Sequence, residues 1–367
     1  MKCTFLQYSQ SLPRPPSNNL PQIANMADTY ATKGLPPPPD VSMTTMPMAG
    51  LLVDVYGLDE LPPGSTESGA APGPAPVTCL WLLHPRTRTR ARMRDIALRT
   101  VSAWHASPGA QARGLVALAF DMPNHGSRLV SETANLAWDG GNASHALDML
   151  GMVKGGCADM RGLMDLVAGY LDRHVDAHVC LGWSLGGHSA WQAWVGEERI
   201  DAAVAVVGCP DFMGLMGDRA SSTGLEYGPS FLGSKHFPPD AVATCLAQDP
   251  KAVLFGTSAV PPVPLTASER TRLRPLLDAR VRGKRLLLCS GAEDALVPYA
   301  NGKPVIDALQ DAVGEEAGWY REGRVVLEDR VYEGVGHRFS KDMVRDAVRF
   351  LVDAVEAGPR GRREEKL

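Results

Sequence analysis

The sequence predicts an α/β protein built on a mostly parallel sheet flanked by helices, and three observations predict it. Short runs such as Val77–Leu83 (VTCLWLL) and residues 115–120 (LVALAF) are apolar at every position, as in strands buried on both faces. Segments of helical periodicity separate these runs, and strands alternating with helices imply parallel crossovers. The chain has 367 residues, 44% hydrophobic and 21% charged, which is the composition of a globular protein with ample core.

Taken in order, residues 1–48 carry proline runs at 12–16 and 36–39 and little hydrophobic periodicity, so they read as a flexible arm. Met26 is a candidate second start within it. The folded domain is expected over 49–357. Leu51–Tyr56 (LLVDVY) reads as a strand, and the Pro/Gly/Ser-rich stretch 62–76 as a long loop. The run 77–83 is the next strand, a helix follows over 93–104, and 115–120 is again a strand. Met160, Leu163, Met164, Val167 and Leu171 recur at helical spacing. Residues 177–181 (AHVCL), 203–207, 285–289 and part of 324–332 complete the strands. Val344, Val348, Leu351, Val352 and Val355 mark an amphipathic closing helix. Residues 211–279 break the alternation, with prolines at 229, 238, 239, 250, 261, 262 and 264. They read as an insertion of short helices, a lid over the strand ends where open α/β sheets bind ligands. The tail 358–367 is charged and frayed.

Composition also excludes classes of function. The net charge of −4 gives no basic field for nucleic acid. No run of about 18 apolar residues exists to span a membrane. The first residues lack the apolar block of a secretory signal. Seven cysteines, an odd count with no C-x-x-C pair, indicate neither a zinc site nor a disulfide framework. They read as small buried hydrophobes in a reducing, cytoplasmic compartment. A mitochondrial address is disfavoured by few arginines and many prolines in the arm. The C-terminal Glu-Lys-Leu departs from the peroxisomal Ser-Lys-Leu at its first residue.

The chemistry concentrates in a few segments. Gly182-Trp183-Ser184-Leu185-Gly186 follows the strand AHVCL and precedes a helical run. A serine on so sharp a strand-to-helix turn needs glycine two positions to either side, where a side chain would strike main chain. A serine hydroxyl is a poor nucleophile and needs a base. Of the nine histidines, only His236 and His337 lie after the elbow's own helix. His337, in Gly334-Val335-Gly336-His337, sits just past the final strand, where a loop can bring an imidazole over the serine. His236 lies in the proline-rich insertion and lacks that placement. After the strand RLLLC come Glu293 and Asp294, either of which can orient the histidine. Asp294 is favoured by its place before Val297-Pro298, and Asp211, one strand earlier, is its rival.

The segments GWSLGG, GAEDALVP and GVGH, with Asp121-Met122-Pro123-Asn124-His125-Gly126-Ser127, resemble the α/β-hydrolase superfamily from about Ala49 to Ala357. Within it, the NHGSR and GCPD segments resemble those of poorly characterised fungal hydrolases. The resemblance implies the order Ser184, Asp294, His337 for a nucleophile, acid and base. It also implies an oxyanion hole formed by the amide of Leu185 and an amide after the third strand of that fold. There the usual His-Gly is His84-Pro85. Proline has no N–H, which leaves the amide of Arg86 as the second donor.

Other residues near these motifs carry weaker signals. Arg86, Arg88, Arg90, Arg92 and Arg94 alternate with other residues and read as a solvated loop and first helical turn, with anion steering as the sharper reading. Asn124 and His125 read as loop anchors rather than pocket residues, and His188 and Trp183 as packing residues. The expected function is a serine hydrolase acting on a small-molecule acyl substrate, a carboxylic ester or thioester, through an acyl-enzyme. No metal or organic cofactor is implied. An acyltransferase, a serine peptidase and a non-catalytic binding protein would all keep this fold. Nothing in the pattern specifies an oligomeric state.

Overall fold

The apolar runs occupy the middle of a single sheet. In the computed structural model, which describes residues 34–62, 75–225, 230–314 and 317–360, the strands are β1 (Met43–Met48), β2 (Leu51–Tyr56), β3 (Val77–Leu83), β4 (Gly114–Phe120), β5 (Val175–Trp183), β6 (Ile200–Val206), β7 (Arg285–Gly291) and β8 (Val326–Tyr332). Their order is β1-β2-β4-β3-β5-β6-β7-β8. β1 and β2 run antiparallel to their neighbours, and every other pairing is parallel. β3, β4 and β6 are buried at every position, which is why they read as unbroken apolar runs. The edge strand β8 instead carries Glu328, Asp329 and Arg330, charges that discourage pairing with another chain.

Ten helices cover the sheet: α1 (Arg94–His105), α2 (His145–Met164), α3 (Val167–Leu171), α4 (Leu185–Gly196), α5 (Phe212–Ser222), α6 (Pro239–Gln248), α7 (Pro250–Phe255), α8 (Ala267–Arg280), α9 (Tyr299–Val313) and α10 (Lys341–Ala357), counted among the described residues. The two-residue period of the strands divides the core between two faces. Leu80 and Leu82 of β3 and Val204 of β6 join Val101 of α1 and Phe350 of α10 on one face. Trp81 and Leu83 of β3 join Val153 of α2, Trp191 of α4, Leu277 of α8 and Leu309 of α9 on the other. The six described cysteines are all buried, while Cys3 lies outside the described residues. No helix among the described residues is long and apolar enough to cross a membrane.

The structure departs from the sequence expectations at three places. The arm expected over 1–48 ends in strand β1, which pairs with β2 from Met43↔Tyr56 to Met48↔Leu51. Of β1 only Met48 is buried, so its backbone pairing leaves no apolar pattern. The helical spacing from Met160 to Leu171 breaks at Asp165 and Leu166 into α2 and α3. The 211–279 segment forms α5 to α8, and α8 packs Leu273 and Leu277 into the core before the chain enters β7. α8 is thus the crossover helix between β6 and β7. The 1–33 and 361–367 segments, and most of the 62–76 loop, lie outside the described residues.

The strand registers place the chemistry at one end of the sheet. Leu83 pairs with Gly182, Trp183 with Val206, Val206 with Cys289, and Gly291 with Tyr332. The loops bearing Arg86, Ser184, Asp211, Asp294 and His337 therefore all leave the same edge of carboxyl ends. β4 and β5 lie on opposite sides of β3, so the chain reverses direction across the sheet there, and such a switch point opens a crevice.

One buried charge ties the far end of the sheet. Lys284, only 1% exposed, donates from Nζ to the carbonyls of Trp194 and Glu197, each at 2.7 Å. Burial, with help from Arg360, pushes its ammonium down from 10.5 to about 7. The unfolded chain then binds more protons than the folded one between pH 7 and 10.5, so stability rises with pH through that window. Urea unfolding of the native chain should show a gain of about 2 kcal/mol from pH 7 to 9 that Lys284→Met lacks. Equal pH slopes in the two proteins would remove the buried ammonium as its source.

Candidate active site

The turn at Ser184 follows from what glycine permits around it. Ser184 has φ 57° and ψ −111°, a strained conformation for a residue with a side chain. A Cβ at Gly182 would collide with the carbonyl of Gly186, and one at Gly186 with the carbonyl of Leu83. The elbow therefore rests directly on the end of β3, and its strain is held by main-chain contact. The Ser184 amide donates to Val206 O at 2.9 Å, which fastens it to β6 as well.

From this fixed position Ser184 Oγ lies 2.7 Å from His337 Nε2. The other ring nitrogen, Nδ1, lies 2.8 Å from Asp294 Oδ2. Asp294 Oδ1 accepts from the amides of Leu296 and Val297, both at 2.9 Å. Two backbone donors compensate for burying the carboxylate and leave Oδ2 aimed at the ring. The His337 loop is held by a strand-end contact of its own, the Glu293 amide donating to Val335 O at 3.0 Å.

The rival acids lie elsewhere. Glu293 is exposed. Asp211 N-caps α5, its carboxylate accepting from Gly214 N at 2.9 Å. Burial pushes the Asp211 carboxyl up. His236 stands edge-on to Trp138 with ring centres 6.3 Å apart, and it is His337 that bonds to Ser184. His188 is buried with Nδ1 at 3.1 Å from Cys209 N, and burial pushes it down to about 3, so it is a neutral packing group.

Two histidines that carried only weak signals in the sequence hold the loop after β3. His84 Nε2 accepts from Met122 N at 2.9 Å while Nδ1 donates to Pro85 O at 2.8 Å. His125 Nε2 accepts from Thr87 N at 2.9 Å while Nδ1 donates to Pro123 O at 2.9 Å. Burial keeps both rings neutral, pushing His84 down to about 4 and His125 below its ordinary value. A neutral ring is what lets each nitrogen pair play donor and acceptor at once. Asp121 completes the frame, taking Arg90 as an ion pair at 2.6 Å and the Ser127 amide at 2.9 Å. The signal for these anchors is the polar content of HPR and DMPNHGS, beside strands that are otherwise apolar.

Of the five alternating arginines, Arg90 pairs with Asp54 and Asp121. Arg92 lies over the Trp183 ring at 5.1 Å. Arg88 bonds to Thr87. Arg86 alone of these turns to the carbonyl of Asn135, at 3.0 Å. Among the described residues no three His, Cys, Asp or Glu side chains converge to hold a metal ion.

No protein-family model matches the chain, and no curated protein matches it. Solved structures do. TT1662 from Thermus thermophilus superposes with a TM-score of 0.53 at 21% identity, over 87% of this chain and all of that one. The chain has the α/β-hydrolase fold. An S-formylglutathione hydrolase from Agrobacterium tumefaciens is similar at a TM-score of 0.46 and 16% identity, over 86% and 94% of the two chains. An esterase from Pyrococcus furiosus is similar at 0.45 and 12%, over 86% and 90%. At 21% identity the likeness to TT1662 carries the fold alone, and the chemistry of this chain has to be argued from its own side chains.

If main-chain contact holds the elbow, one methyl group should undo it. Gly182→Ala should cost about 3 kcal/mol in thermal or urea unfolding. Gly151→Ala, in α2 with open space around it, should cost nothing. Similar stability of the two variants would show that the elbow relaxes freely.

Proposed function

We propose that the chain is a serine hydrolase that cleaves a carboxylic ester or thioester through an acyl-enzyme. The observation that carries this reading is the hydrogen-bonded chain from Ser184 Oγ through His337 to Asp294, at 2.7 and 2.8 Å, starting from a strained elbow. His337 Nε2 takes the Ser184 proton as Oγ attacks the substrate carbonyl. Asp294 keeps the Nδ1–H tautomer and stabilises the imidazolium. The negative oxygen of the tetrahedral intermediate is held by the amides of Leu185 and Arg86. Leu185 opens α4, where the first amides of a helix have no intrahelical acceptor. Arg86 lies in the loop that His84 and His125 fasten to the segment after β4. His337 then protonates the leaving alcohol or thiol. Water attacks the acyl-enzyme with His337 again as base, releasing the acid and restoring Ser184. The reading keeps the lid expected over 211–279 only for its first helix, α5, and is supported there by Arg219, which donates to Leu296 O in the Asp294 loop at 3.0 Å.

Two measurements test this. Ser184→Ala should fold normally and lose all labelling by a fluorophosphonate, and continued labelling would move the nucleophile elsewhere. Asp294→Asn should lower kcat on the order of 10⁴-fold while keeping the fold. Asp211→Asn and Glu293→Gln should change kcat less than about tenfold, since neither carboxylate touches His337 and asparagine also caps a helix. A crippled Asp211→Asn beside an active Asp294→Asn would reverse the assignment of the acid.

A further inference from the structure

Two guanidinium groups flank the Asp294 loop and the loop after β3 without an ion-pair partner among the described residues. Arg86 Nη1 donates to Asn135 O at 3.0 Å. The next carbonyl, Leu136 O, takes His145 Nδ1 at 2.9 Å, and His145 Nε2 stands 3.5 Å from Arg219 Nη1. Arg219 Nη2 donates to Leu296 O, whose own amide binds Asp294. One short relay of contacts thus joins Arg86, beside the elbow, to Arg219 of α5, which touches the Asp294 loop. The remaining neighbour of Arg219 Nη1 is a poor acceptor, Met149 Sδ at 3.1 Å, and Nε is buried with no hydrogen-bond partner among the described residues. Trp138, edge-on to His145 with ring centres 5.0 Å apart, likewise buries an Nε1 donor with no acceptor.

Such an arrangement is costly as it stands. Arg219 is pushed down to about 10 by burial and then by Arg86, against weaker support from Asp294, and burial also lowers Arg86, which feels Asp139. Both side chains are half-buried; cations drawn partly out of water are favoured by pairing, and a forked guanidinium matches the two oxygens of a carboxylate or phosphate. Arg90 shows the paired alternative a few residues away, held between Asp54 and Asp121. We propose that Arg86 and Arg219 bind an anionic group, a carboxylate or a phosphate, carried by the ester or thioester that Ser184 attacks. The substrate class rests on the hydrolase reading above; the anion site itself does not.

The test compares two esters in the full chain. The 4-nitrophenyl esters of butyrate and of glutarate differ by one terminal carboxylate. The native chain should prefer the glutaryl ester about tenfold or more in kcat/KM, mainly through KM, the effect of a charge-assisted contact. Arg219→Met and Arg86→Met should each lower the glutaryl-to-butyryl ratio about tenfold, and Arg219→Lys should restore part of it. The ratio within each variant cancels any general loss of activity. Calorimetric titration with glutarate and with inorganic phosphate decides between carboxylate and phosphate, and Arg219→Met should lose whichever binds. No glutaryl preference, with no saturable binding of either anion, would overturn the anion site. Anion binding that depends on Arg219 in a chain without esterase activity or fluorophosphonate labelling would keep the anion site and remove the hydrolase reading.

Discussion

The constraint on which the rest depends is the contact between the Ser184 turn and the end of β3. Gly182 and Gly186 let main chain approach main chain so closely that no methyl group fits. That approach holds Ser184 at φ 57° and brings the loop after β3 against the amino end of α4. The same closeness extends to β6, where a Cβ at Gly187 would stand 2.8 Å from Val206 O. A strained residue persists only when its surroundings over-determine it, and here backbone from two neighbouring strands does so.

Around that turn, three buried polar side chains, His84, His125 and Asp294, have a defined partner at each polar atom. His84 and His125 act as neutral two-ended pins, and Asp294 receives two amides on one oxygen before offering the other to His337. Rotamers locked in this way hold Ser184, His337 and Asp294 in register, as the proposed chemistry would need at the moment of reaction. The guanidiniums of Arg86 and Arg219, bonded to main-chain carbonyls but with no ion-pair partner among the described residues, depart from this economy, and the proposed anion would complete them.

The parallel core was legible because burial on both faces forces apolar residues at every position, as in Val77–Leu83 and Gly114–Phe120. β1 was not, because an edge strand draws on backbone pairing, and five of its six residues are at least partly exposed. Ser184 was legible because its turn needs glycines at fixed offsets. The other two members of the hydrogen-bonded chain followed from loops at strand ends, since a parallel sheet delivers those loops to one side. Arg219 had no such signal. It sits among Leu215, Met216 and Ala220 in a helix of an insertion, and only the fold carries that helix over to Leu296. His125 was read as a loop anchor, but the partners of His84 and His125 were not legible, because each pin is defined by an amide 38 residues away.

The two carboxylates that end neighbouring strands show how position decides role. Asp211 follows β6, and its chain turns at once into α5, so the side chain caps its own helix at Gly214. Asp249, buried against it, accepts from Phe212 and Ala252, and burial with the nearby Asp211 raises its carboxyl well above the usual range. Acidic groups there serve helix ends and discourage charge on each other. Asp294 follows β7 in the loop 292–298 before α9, and the amides of Leu296 and Val297 in that loop turn back to it. A carboxylate there can be buried while one oxygen stays directed at the neighbouring loop from β8. The strand between the two acids and the histidine thus matters less than the local turn: a helix that starts at once consumes its acid as a cap, and a loop that closes on itself presents one.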